Sequence, residues 1–380
     1  MQILLNEIKK ILNWKMLVLL AFINCVLFFL FIEFHITHFP NGRPSLDSYR
    51  VGIEMIEKYG TSMEEEDYQD FKQSYEKKID EANQYIQARE EFAKAGIESY
   101  DDFVSGDREH QDQEDLRFKV MHEEQNDLFW ELQARSRLIE YHDQNELKVE
   151  HYLDGFADSS QEARFQAIIS SGNYDAYPEV VYSNYEEYII NVAIAVILSV
   201  VFIISPVYLK DRSNQVVHLQ YSSQIGRRIF KIKAAAAIIS AFIVITVLMS
   251  IYLGLYSFNN TEMYFQLPTQ AFIAVMNWYD VTFFHYIVLT VVGIYVIAMV
   301  FALLAMAFSS LMPNYITLIG VQIPIVMGLI TYGLVYLLAN IIDIRLQQWF
   351  IPAMYCFIIG TSFFLICFLW KREKEKDIIL

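Results

Sequence analysis

The 380-residue chain is 54% hydrophobic, above the share usual in soluble proteins, yet its net charge is −16. So acidic a chain is not expected to bind nucleic acid. The two figures average unlike parts. Residues 35–190 hold 36 acidic and 15 basic side chains, a net −21, while the remainder holds 9 and 14, a net +5. An acidic, soluble module and a basic-flanked membrane body are therefore expected, all-α in class. The three cysteines, Cys25, Cys356 and Cys367, lie in apolar runs. They are read as small buried hydrophobes, with no disulfide framework and too few partners for a metal or redox site.

Residues 1–15 place Leu4, Leu5, Ile8, Ile11 and Leu12 at helical spacing, with Glu7, Lys9, Lys10 and Asn13 facing away. This predicts an amphipathic helix lying in the inner membrane interface, its lysines at lipid headgroups. Residues 16–34 are the first of six runs long enough to cross about 30 Å of hydrocarbon. The others are approximately Tyr188–Leu209, Ala234–Tyr256, His285–Phe308, Tyr315–Leu338 and Phe350–Phe368. No small-x-small cleavage motif follows the first run, so it is read as an anchor rather than a signal peptide.

Charge orients the spans. Lys9, Lys10 and Lys15 precede the first, and Lys371, Arg372, Lys374 and Lys376 follow the last. The loop 210–233 between the second and third carries Lys210, Arg212, Arg227, Arg228, Lys231 and Lys233. By contrast, Ser257–Phe284 has no Lys or Arg, and Asn340–Trp349 has only Arg345. The positive-inside rule puts both termini and the basic loop in the cytoplasm of a multi-pass cell-membrane protein. Residues 35–187 are then external, residues 188–370 carry the second to sixth spans, and 371–380 form a cytoplasmic tail.

Within the external module, Tyr68, Phe71, Tyr75, Ile79, Ala82, Ile86 and Ala93 follow a three-four spacing. A second such pattern runs through Leu116, Val120, Leu128, Leu132, Leu138, Tyr141 and Tyr152. Between them, Ala95–Gln111 predicts a connector with a short helix. Ser159 and Glu162 form a capping-box signal for a third helix ended by Gly172. A helical hairpin with a short returning helix is expected. The acidic run Glu64–Asp67 lacks the glycine and the alternating oxygens of a calcium loop, and suits a helix N-terminus instead. His110, His122, His142 and His151 lie scattered without a metal-binding spacing. Gln266–Phe284 is partly apolar but too short to span, and is read as an external helix on or dipping into the bilayer, or as a simple loop. Trp278 and Tyr279 are read there as interface residues.

No catalytic, cofactor or metal site is expected. The chain has no G-x-x-x-x-G-K-[ST] loop, no H-E-x-x-H and no G-x-S-x-G. Ser199, Ser240 and Ser362 lie in spans without an acid or His beside them in sequence. Asn24, Asn191 and Gln322 are the polar candidates for a substrate path, or simply hydrogen-bond helix to helix. Pro206, Pro324 and Pro352 are placed to kink or start spans, and Gly328 and Gly333 to permit close helix contact. Without buried acids or bases there is no mark of an ion-coupled path, so an external energy source is expected.

These pieces resemble the permease subunit of a bacterial type-two ABC exporter. Such subunits carry an interfacial N-terminal helix, six spans and a cytoplasmic loop after the second. That loop typically runs Leu-x-Ser-Ser/Thr-x-x-Gly/Ser-Arg-Arg/Lys, then Lys and small residues. Here Leu219, Ser222, Ser223, Gly226, Arg227, Arg228 and Lys231, ahead of Ala234–Ala237, follow it. The resemblance implies that the segment from Val216 to Lys231 couples to a separate ATPase, and that a second permease subunit, identical or different, completes the transporter. Arg227 and Arg228 would pair with acids on the ATPase or with lipid phosphates. Many members join the first two spans by a short loop, whereas this chain inserts about 150 residues. Related permeases with such an insertion are often tied to peptide-antibiotic export or resistance. That makes a peptide, antimicrobial or lipid-like amphiphile the expected substrate and a cationic peptide a candidate ligand of the acidic module. The alternative is a membrane-anchored receptor or structural protein that binds an external partner through the hairpin.

Overall fold

The computed structural model describes residues 2–105, 110–143, 158–172, 174–216, 219–220 and 226–375. Among these, helices dominate and the only β pairing is two isolated bridges, Tyr177–Phe272 and Pro268–Thr282. Six helical segments are long and apolar enough to cross a membrane: Trp14–Ile32, Val180–Ser213, Gly226–Asn259, Phe283–Leu311, Tyr315–Gly333 and Phe350–Glu375. A multi-pass membrane protein follows, because a helix is the one open-chain structure that satisfies its own backbone in hydrocarbon. The described chain divides into two compact units. The first is Met1–Thr37, Tyr185–Asn260 and His285–Leu380; the second is His38–Asn184 with Thr261–Phe284.

In the first unit the second span is the best buried and the first, fifth and sixth the least. Cys25, Cys356 and Cys367 are consequently exposed free thiols, not the buried hydrophobes expected, because the first and sixth spans present most of their surface outward. Prolines punctuate the spans. Pro206 starts a new helix, Pro206–Ser213, after Ile204. Pro324 lies inside Tyr315–Gly328, and Pro352 lies near the start of Phe350–Glu375. A side chain at Gly328 would meet nothing within 4 Å, and one at Gly333 only its own helix's Leu329, so neither glycine serves a close contact in this chain.

The N-terminal helix Gln2–Ile11 forms and packs on the third span's helix, Ile229–Tyr256. Its orientation differs from the expected one. Glu7 is buried and Leu5 is half-exposed, because Glu7 is paired to Lys10 and turned inward.

The second unit is built on the helices Ser45–Tyr59, Glu65–Gln87 and Asp127–Asp143, the first and second each packing on the third. Tyr68, Phe71, Ala82 and Ile86 form the buried stripe of Glu65–Gln87. Glu64 and Asp67 cap its start reciprocally, so the acidic run is a helix N-terminus. The second periodic pattern is not one helix. Gln111–Phe118 passes through a wider turn, Lys119–Glu123, and stops before Asp127–Asp143. Gln125, at φ 49°, lies in that break. Tyr152 and His151 fall outside the described residues. The connector contains two short helices, Glu90–Lys94 and Tyr100–Ser105. Ser159–Ser170 is capped one residue earlier than expected, by Asp158, which accepts from Ser160 N at 3.0 Å. His110 and His122 are exposed, and His142 stacks on Tyr68 at 3.7 Å.

Gln266–Phe284 is not a membrane-resting helix. It forms short turns and the Pro268–Thr282 bridge, and it buries Leu267, Phe272, Ile273 and Trp278 within the second unit. Its apolar residues therefore supply core to that unit. Arg164 anchors the segment by donating to Asn277 O at 3.0 Å and to Asp280 Oδ1 at 2.6 Å, and this guanidinium holds the Asp280 carboxyl below its usual range. Gly52 permits the close fit. A Cβ there would lie 2.5 Å from the Tyr264 hydroxyl and 2.8 Å from the Pro178 ring.

Two predictions follow from this packing. Gly52→Val should destabilise the protein by about 1–3 kcal/mol through overpacking, read as a lowered thermal midpoint of the purified chain. The second concerns Glu124, whose carboxylate accepts two 2.8 Å bonds from Arg89 and one from Tyr85; these lower its pKa to about 2 from 4.5. A lowered folded-state pKa stabilises above the ordinary value and loses that stabilisation as pH falls. The stability margin of the native chain over Glu124→Gln should be full at neutral pH and shrink below 4.5 toward about 2, as measured by denaturant titration. A pH-independent margin would contradict it.

Candidate functional site

The basic loop between the second and third spans joins polar side chains from several spans of the first unit. Its geometry starts from the helix break at Ser205 and Pro206. A new helix leaves its first backbone N–H groups without intrahelical acceptors. Ser309 Oγ, near the end of the fourth span, accepts two of them, from Tyr208 N at 3.1 Å and Leu209 N at 3.2 Å. The fourth span's own last carbonyls meet Arg212, which donates to Ser310 O and, at 2.8 Å, to Met312 O. A cation is favourable at a helix C-terminus, where unpaired carbonyls concentrate negative charge.

Lys233 lies at the head of the third span, ahead of four alanines, and is only 3% exposed. An ammonium so buried needs a counter-charge. Asp211 provides it: its Oδ2 accepts from Lys233 Nζ and, at 2.7 Å, from Gln220 Nε2. The same residue's carbonyl accepts from Val216 N at 3.0 Å, and Val216 O from Gln220 N at 3.0 Å. One acid thus holds the loop's turn and the third span together.

Beside this pair, Phe230, Ala307 and Leu369 form a buried apolar cluster joined by Tyr208, Leu311, Leu365, Ile366 and Trp370. Tyr208 stacks on Phe230 at 4.9 Å and donates to its carbonyl at 2.9 Å. Lys231 Nζ lies 4.5 Å from the Trp370 ring centre, and Arg227 donates to Lys374 O. Side chains from the second, third, fourth and sixth spans therefore meet at this one loop.

Of the residues singled out from sequence, Val216, Gly226, Arg227 and Lys231 take part in this cluster or flank it. Gly226 opens the turn Gly226–Arg228 at φ 52°, a left-handed conformation that favours glycine. Arg227 bonds within the chain, whereas Leu219, 73% exposed, and Arg228 project outward. Ser222 and Ser223 lie outside the described residues. Sequence reasoning missed Asp211, Ser309 and Trp370 as participants. Asp211 had a signal, being the only acid between Lys210 and Lys233.

Asn24, Asn191 and Gln322 are not brought to a common point by their contacts. Asn24 Nδ2 donates to Ser199 Oγ at 2.8 Å while its Oδ1 accepts from Tyr252 at 2.9 Å, joining the first three spans. Asn191 lies 3.1 Å from His35 Nε2, and the His35 carbonyl accepts from Asn259 at 3.0 Å. Gln322 Oε1 accepts from Ser205 at 3.0 Å. Each contact ties one helix to another. Among the described residues, no group of three or more His, Cys, Asp or Glu side chains is placed to hold a metal ion.

Comparison of the chain with protein-family models, curated proteins and solved structures gives no match.

The Asp211–Lys233 pair yields a direct prediction. Lys233→Met leaves a buried carboxylate without its counter-ion and should cost about 3–5 kcal/mol of stability. The double variant Asp211→Leu/Lys233→Met removes both charges and should recover most of the loss. Thermal unfolding of purified protein in detergent checks both. Equal destabilisation by the single and double variants would show that the pair is not the stabilising element.

Proposed function

We propose that this chain is the permease subunit of an ATP-driven exporter of the type-two ABC class. It would move or clear a peptide, antimicrobial or lipid-like amphiphile across or from the membrane. A separate ATP-binding cassette subunit would supply hydrolysis, and a second permease, identical or not, would complete the path. Charge distribution supports an orientation with both termini and the 210–233 loop in the cytoplasm and the acidic unit outside.

The observation that carries this reading is the convergence of four spans on one basic loop. A partner pressing on a freely hinged loop would move the loop alone. Here displacement of the loop is resisted by the Asp211–Lys233 pair, the Ser309 and Arg212 contacts and the Phe230 cluster, so it is passed to the span ends. Leu219 and Arg228 offer an exposed apolar knob and an exposed cation for the partner. A membrane-anchored receptor acting through the acidic unit is the alternative, favoured by that unit's net −21.

Purification of the tagged full-length chain from its own host in mild detergent, followed by mass spectrometry, separates the two. The exporter reading expects a stoichiometric P-loop ATPase to co-elute. An intact, monodisperse chain without one would favour the receptor. The double variant Leu219→Ala/Arg228→Ala should reach the membrane in normal amount yet retain about tenfold less ATPase, as loss of an interface anchor does. Unchanged recovery would remove this loop as the docking element.

A further inference from the structure

The second unit contains a half-open cavity of about 490 Å³. Its size falls among small-molecule sites, which run from about 300 to 1,000 Å³. Its wall includes Tyr100, Phe103, Met121 and Phe129, so the cavity reaches the unit's aromatic core. Phe103 and Phe129 pack at 4.7 Å between ring centres and are 5% and 1% exposed, which makes this wall part of the packed interior rather than a mobile surface.

The polar groups at the wall divide into two sets. The charged ones already have partners, an acid for each arginine and a hydroxyl for Glu140. Arg137 pairs with Glu179, Glu140 accepts from Ser136 at 3.1 Å, and Arg117 donates to the Phe103 carbonyl at 2.6 Å and pairs with Glu114. Two of the neutral ones have none. Ser48 and Tyr100 are each 5% exposed and line the cavity, and neither hydroxyl makes a hydrogen bond to a described residue. Both residues line the cavity, so their hydroxyls are available to the polar group of a molecule that enters it and displaces water. Burial also holds the Tyr100 phenol well above its ordinary value, leaving it a neutral donor and acceptor.

We propose that this cavity binds a small neutral amphiphile. Its aromatic or branched aliphatic body would lie against Phe103, Met121 and Phe129, and a hydroxyl, amide or carbonyl head would meet Ser48 and Tyr100. The two arginines at the wall hold their own counter-charges, and Glu140 is exposed and bonded by the Ser136 hydroxyl, so the aromatic wall rather than charge selects the ligand. The assignment is independent of what drives the membrane unit, and it stands or falls apart from the exporter reading.

Photolabelling of the full-length chain in lipid nanodiscs with a diazirine-bearing octanol, followed by peptide mapping, tests it. Adducts are expected at Tyr100, Met121, Phe129 and Glu140, and excess unlabelled octanol should compete them away. Gln133→Trp, at an exposed wall position, fills the cavity and should lower those adducts by about tenfold while leaving adducts on the spans unchanged. Ser48→Ala should raise the octanol concentration needed for half-competition. If Gln133→Trp lowers the thermal midpoint, Val104→Trp at the exposed mouth replaces it. Adducts confined to the spans, labelling that does not saturate, or labelling indifferent to a folded cavity-filling variant would each overturn the assignment.

Discussion

A polar group placed among apolar spans has no water to turn to, and the first unit is organised by that constraint. Lys233 lies behind the loop with its ammonium almost wholly buried, so Asp211 must lie where it does. Fixing Asp211 fixes the turn through Val216 and Gln220 and sets the helix from Pro206 against the fourth span. The same requirement acts deeper. Asn24, with a donor and an acceptor, bridges Ser199 and Tyr252 and so joins three spans through one side chain. Such bonds contribute modestly, roughly 0.6 kcal/mol on average and seldom above about 2. They specify which helix faces which more than they hold the bundle together.

The second unit follows the opposite regime. Its surface is strongly acidic, and most of its ion pairs have at least one solvent-exposed member and are individually weak. Its stability must come from aromatic burial. Tyr68, Phe71, Phe92, Phe129 and Phe165 are each 5% exposed or less, and the unit draws Tyr264, Phe272 and Phe283 from a stretch far along the chain. Its described buried charges are Asp47, Asp175 and Arg135, and the most buried of them is Arg135. It is 1% exposed, bound to Glu54 and Glu131 and 5.1 Å from the Phe71 ring, so it joins three helices as a packed side chain. A net −21 then serves solubility without interfering with the core.

The fold class and the six spans were legible in the sequence because length and apolarity alone decide whether a segment can cross hydrocarbon. The stripe from Tyr68 to Ile86 was legible for the same kind of reason, since helical periodicity is local. What escaped was non-local. Nothing in Gln266–Phe284 distinguishes apolar residues that rest on lipid from apolar residues that complete a distant core, and Trp278 is buried for the second reason. The cysteines were misread because an apolar span does not reveal which of its faces meets another helix. At the loop, Arg227 and Arg228 looked equivalent, yet one bonds to the carbonyl of Lys374 and the other is exposed. That difference depends on where the last span ends, which no local pattern encodes.

The discontinuity of the second unit constrains how the whole chain can be understood. The chain passes between the two units four times, at the junctions 37/38, 184/185, 260/261 and 284/285. Residues 38–184 alone would therefore lack Tyr264, which lies against Gly52, and Phe272, which bridges to Tyr177 and meets Tyr182 at 5.5 Å. They would also lack Asp280, the partner of Arg164. A fragment cut at the span boundaries would leave these faces open to water, exposing several large aromatic surfaces at about 25 cal/mol per Å². The second unit is thus an insertion in sequence only. In physical terms it is completed by the chain on the far side of the third span, so its integrity depends on that span having been made and placed.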